Sequence, residues 1–89
     1  MPQQGDYILA KVGKGRHSVG MVSHIDEHLQ LAVKFLTPQE KGLFVWPIRD
    51  VMKSTDYSEV VKILGEPKKL KRKGLPVRFD FDLSQFKLS

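Results

Sequence analysis

Along residues 29–35 the apolar positions alternate, with Leu29, Leu31, Val33 and Phe35 on one side of an extended chain and Gln30, Ala32 and Lys34 on the other. This period of two marks a half-buried, central strand, and short apolar runs bounded by turn residues flank it. Gly5 opens an earlier strand over residues 6–12, which sets Ile8, Ala10 and Val12 against Tyr7, Leu9 and Lys11. Gly13-Lys14-Gly15-Arg16 then makes a hairpin loop with a basic tip, its glycines accepting positive φ. Residues 17–25 give the second strand, where Gly20 marks a bulge, a bend or a close backbone approach. Asp26, Glu27 and His28 turn the chain into residues 29–35, and a polar loop over 37–42 follows. Residues 43–46 form a fourth strand ended by Pro47, and residues 48–52 a short fifth.

The period then changes. Asp56 and Glu59 have the spacing of a capping box, and Tyr57, Val60, Val61 and Leu64 follow at i, i+3, i+4 and i+7. With Gly65 and Pro67 as stop signals, the spacing predicts an amphipathic helix over 56–65 packed on the sheet. Residues 66–76 read as a basic linker carrying Lys68, Lys69, Lys71, Arg72 and Lys73, the only dense charge run. Residues 77–83 alternate again, with Val77, Phe79, Phe81 and Leu83 opposite Arg78, Asp80 and Asp82. Such a terminal strand returns to the sheet or adds to another molecule's sheet, which makes a strand-mediated dimer conceivable. Residues 84–89 are expected to fray. The expectation is a mainly β chain: a five-stranded, bent antiparallel barrel over residues 5–53, then helix, basic linker and terminal strand.

Composition narrows the function. A chain of 89 residues holds one domain with one modest core. It has no cysteine, which excludes a disulfide framework and a thiolate zinc site. No apolar run approaches the roughly 20 residues of a membrane span, and the polar start is not a signal peptide. The expected location is nuclear or cytoplasmic, with no membrane partner. A net charge of +5 and a pI near 9.6 favour polyanionic partners.

Three segments, Asp6-x-Ile8-x-Ala10, Val19-Gly20-Met21-Val22 and Val33-Lys34-Phe35, resemble the first three strands of Tudor-like small barrels of the Royal superfamily. The resemblance implies recognition of methylated lysine or arginine on chromatin- or RNA-associated proteins. That activity needs an aromatic cage, since ring faces hold a methylammonium by cation–π attraction. The resemblance puts cage positions near Val12, Ser18, Phe35, Leu36 and Thr37, of which only Phe35 is aromatic. Tyr7 and Trp46 are the other rings within reach. The chain is therefore expected to be a non-enzymatic protein- or peptide-binding adaptor, chromatin- or nucleic-acid-associated, without an evident cage and with Phe35, Trp46 and Tyr7 as partner contacts.

A second resemblance joins Phe44-x-Trp46-Pro47-x-x-Asp50 to Pro67 and Phe79-x-Phe81, and is similar to the tails of proteins derived from mobile elements. Barrels that end some retroelement integrases supply the alternative, DNA or RNA binding through Lys14, Arg16, Lys68, Lys69, Lys71, Arg72 and Lys73. No ring interrupts the run at 68–73, so binding there is electrostatic and poorly sequence-specific.

Catalytic chemistry finds no support. His24 and His28 bracket Asp26 and Glu27, but no third and fourth ligand stands at metal-site spacing. His17 and Ser18 point to opposite faces of a strand. Asp80 and Asp82 share a face, as a solvated strand face also requires. The expectation is no catalytic residue, no metal and no cofactor.

Overall fold

β1 (Tyr7–Gly13), β2 (Arg16–Ile25) and β3 (Gln30–Phe35) run as an antiparallel meander in the computed structural model, which describes residues 1–49 and 51–88, the side chain of Lys41 excepted. Ile8, Leu9 and Ala10 are consecutive and fully buried, so both faces of β1 are covered. Ile8 and Ala10 join Val22, Leu31 and Val33 in one core, while Leu9 joins Val19, Leu36, Phe44 and Phe79 in another on the opposite face. Each such side chain larger than alanine contributes about 1.5–3 kcal/mol by leaving water. Gly20 marks a close approach: a Cβ there would lie 2.6 Å from Val33 Cγ1, 2.9 Å from Phe35 Cδ1 and 3.0 Å from the Lys34 carbonyl oxygen.

β3 starts one residue later than the alternation predicts. Leu29 is exposed in a left-handed conformation, φ 62°, within a turn organised by Asp26. The Asp26 carboxylate accepts from the amides of His28 (2.8 Å) and Gln30 (2.9 Å). This side-chain mimicry of a backbone turn outweighs the strand preference of a single leucine. β2, not β3, is the central strand.

Beyond β3 come β4 (Thr37–Pro38), β5 (Leu43–Val45), β6 (Lys53–Asp56), β7 (Val60–Leu64), β8 (Lys68–Lys69) and β9 (Val77–Arg78). They complete a five-stranded sheet in the order β6-β3-β2-β1-β7 and build a second sheet in the order β4-β5-β9-β8. β6 and β7 lie on opposite edges of the first sheet, yet only the 3-10 turn Tyr57–Glu59 joins them. Flat, those edges would stand about 19 Å apart, four gaps of about 4.8 Å. A 3-10 turn advances about 2 Å per residue. The sheet must therefore curl until its edges approach, but among the described residues β6 and β7 do not pair. The expected closed barrel is thus an open, curled sheet backed by a second one.

The helix expected over 56–65 is absent. Asp56 does cap, accepting from the Ser58 amide (2.9 Å) and the Ser58 hydroxyl (2.9 Å), but the chain makes only the 3-10 turn before becoming β7. Val60, Val61 and Ile63 are β-branched and prefer extended backbone, and β1 offers them a free edge. A turn followed by a strand reproduces the i, i+3, i+4, i+7 spacing over so short a window. The fifth strand expected at 48–52 is likewise replaced by β7: Ile48, Val51 and Met52 are exposed and outside any strand, and Asp50 lies outside the described residues.

The basic linker is a hairpin. β8 pairs with β9, and the Leu70 amide donates to the Pro76 carbonyl (2.9 Å) across the loop, where Gly74 takes φ 86°. The terminal strand shrinks to β9 within the second sheet, although Phe79 and Leu83 are buried on the face the alternation assigned them. The tail docks rather than frays. The His17 amide donates to the Lys87 carbonyl (2.9 Å), and the rings of His17 and Phe86 meet edge to face at 5.0 Å.

Candidate functional site

β7 accompanies β1 only as far as Ala10, opposite Val60, so Lys11, Val12 and Gly13 run on past it. The curl brings β6 across from them, and the gap between the β1–β2 hairpin and β6 is a groove of about 830 Å³. Among the described residues four cations line it: Lys11 from β1, Lys14 from the hairpin tip, Arg16 from β2 and Lys53 from β6. Between them lie Val12, Ser18 and Phe35. Val12 is exposed, Phe35 half-buried and Ser18 buried.

Two carboxylates share the groove, Asp56 and Glu59. Asp56 is engaged at home. The Ser58 amide, the Ser58 hydroxyl and the Gln30 amide (2.8 Å) hold its carboxyl below the ordinary aspartate range, in that order of effect. The Gln30 side chain in turn accepts from the Ser54 hydroxyl (3.1 Å), which laces β3 to β6 beside the groove. Among the described residues, four cations against two carboxylates leave a positive concavity.

The residues expected to touch a partner are divided by the fold. Phe35 lines the groove, as do Lys14 and Arg16. Tyr7 and Trp46 do not join them. They pack against the core between the two sheets, with ring centroids 6.3 Å apart, and Tyr7 meets Phe79 edge-on at 5.5 Å. Burial, then the nearby Glu66 carboxylate, raises the Tyr7 hydroxyl above the ordinary tyrosine range. The Lys34 ammonium sits over the Trp46 ring at 5.3 Å, so that indole already has an internal cation. No three-ring cage forms at Phe35 among the described residues.

None of the cations at 68–73 reaches the groove. β7 pairs Leu64 with Tyr7, at the far end of β1 from the hairpin, before the run begins. Lys68 and Lys69 are exposed on the edge strand of the second sheet. Lys11 and Lys53 were not legible as site residues. Lys11 reads as one polar position of a strand, and Lys53 follows a segment misread as a strand of the barrel.

A second cavity of about 620 Å³, lined by Phe79, Phe81 and Phe86, lies along the docked tail. Its rings also close the core, as at a packing seam. Among the described residues, no three metal-ligating side chains cluster, and no helix is long and apolar enough to cross a membrane. Compared with family models, curated proteins and solved structures, the chain matches nothing.

Proposed function

We propose that this chain is a non-enzymatic binding module whose ligand is nucleic acid, gripped by its phosphates in the groove between the β1–β2 hairpin and β6. The observation that carries the reading is the convergence of Lys11, Lys14, Arg16 and Lys53 on one concavity. Cations so arranged displace the counterions condensed on a phosphate backbone, which makes binding favourable and strongly salt-dependent. A methylated lysine or arginine would bring a further positive charge into the same groove and find a single ring, Phe35, to offset it. The balance of charge favours the polyanion. Such a ligand fits work in the nucleus or the cytoplasm.

A second reading, a Tudor-like adaptor for a protein or peptide, is supported by the meeting of Val12, Ser18 and Phe35 in this groove, the positions that the family resemblance assigns to ligand contact. One titration separates the two. In fluorescence anisotropy with a labelled oligonucleotide, engagement of all four cations predicts a log-log salt slope of about −2.8 for a single strand, 0.7 per phosphate neutralised. Absence of oligonucleotide binding at low salt, with capture of methylated peptides or of phosphatidylserine vesicles instead, contradicts the nucleic-acid reading.

A further inference from the structure

We propose that the groove takes a single strand rather than a duplex, with one base stacked on Phe35, and that Gly20 is the positioning residue that seats this ring. The inference rests on the nucleic-acid reading and deepens it. Single-strand sites combine a cationic groove that follows the backbone with an aromatic surface on which a base stacks. The groove has both, since Phe35 is its only aromatic lining residue among the described residues and stands among the four cations. In a duplex, each internal base is covered on both faces by its neighbours. A ring set inside a concavity then has no base face to meet, whereas the unstacked bases of a single strand are free to enter.

The seat of the ring is specific. Phe35 is the register partner of Gly20, and its Cδ1 lies 2.9 Å from where a Cβ on residue 20 would stand. The ring occupies room that only glycine leaves, while its other contacts are with the core built on Ile8, Val22 and Val33. A methyl group at position 20 meets Val33 Cγ1 at 2.6 Å and the Lys34 carbonyl oxygen at 3.0 Å as well, so it must shift the Val33 side chain, the Phe35 ring or the strand that bears both.

The test measures the full chain against three labelled probes of about 20 nucleotides, a length beyond one such site: oligothymidylate, an abasic strand with the same phosphates, and a duplex. The native protein is expected to bind oligothymidylate about tenfold or more tightly than the abasic strand. Phe35→Leu should erase that preference while leaving the salt slope unchanged, Phe35→Tyr should keep it, and Gly20→Ala should weaken it. Equal affinity of the native protein for the first two probes, or tighter binding of the duplex, overturns the inference while leaving nucleic-acid binding in place. Failure to bind any probe removes the underlying reading instead. Circular dichroism reports whether Phe35→Leu folds; if it does not, the native comparison with the abasic strand and the Phe35→Tyr variant decide.

Discussion

Five cations occupy six consecutive positions from Lys68 to Lys73, whereas Lys11, Lys14, Arg16 and Lys53 are drawn from the first hairpin and a distant edge strand. The dense run ends up as one strand and the loop of a hairpin, its charged residues all exposed and none lining the groove. Lys68 and Lys69 there have a structural use, because charged edge strands discourage edge-to-edge pairing with other chains. The scattered set converges, because a three-residue turn forces the first sheet to curl and β7 stops short of the end of β1. Charge density along a chain and charge convergence in space are different quantities, and only the second builds a site.

The sharpest way to break this comparison is to reverse the charges separately. Lys14→Glu, Arg16→Glu and Lys53→Glu together remove three phosphate contacts and should weaken single-strand binding about a hundredfold or more near 50 mM salt. The same treatment of Lys71, Arg72 and Lys73 should cost less than about threefold, since those charges act only through a screened field. Equal losses would dissolve the distinction between the regions.

Gly20→Ala comes next, as overpacking against Val33, Phe35 and the Lys34 carbonyl should destabilise the domain by about 1–3 kcal/mol in chemical denaturation. A Gly74→Ala change in the loop of the basic run, at a positive φ that Gly20 does not share but with open space around it, should cost only about 1 kcal/mol of backbone strain.

A smaller effect is expected from acid. The folded-state carboxyls of Asp56 and Asp82 ionise below the ordinary aspartate range, so the stability they add is present at neutral pH and is lost as pH falls through the lowered values. Asp56→Asn should remove the share belonging to the turn beside the groove, read as a flatter dependence of stability on pH between neutrality and strong acid. The smallest change is Leu29→Asn, which relieves a left-handed leucine that lines neither cavity. It should raise stability by up to about 1 kcal/mol and leave binding untouched.

Much of the first sheet was legible, because period-two alternation over residues 6–35 reports burial on one face of a strand. A glycine interrupting a strand at position 20 left a bulge, a bend and a close approach open, and the structure shows the close approach. The segment 56–65 was not, since a five-residue strand after a capped turn has the same apolar spacing as two helical turns, and the choice was made by the free edge of β1. Of the second sheet, β5 and β9 fall within the strands read at 43–46 and 77–83, while β4 and β8 are two residues long and the sheet stands on pairings that no local pattern announces. Of the groove, Lys14, Arg16 and Phe35 could be picked out as a basic tip and a strand-end ring. Their meeting with Lys11 and Lys53 is a product of the curl.

The most direct test is a nuclear magnetic resonance titration of the full chain with oligothymidylate, following every backbone amide. Shifts concentrated at residues 11–18, 35 and 53–59, with residues 68–73 unmoved, are the predicted result. Shifts gathered on 68–73 while 53–59 stay in place would contradict it.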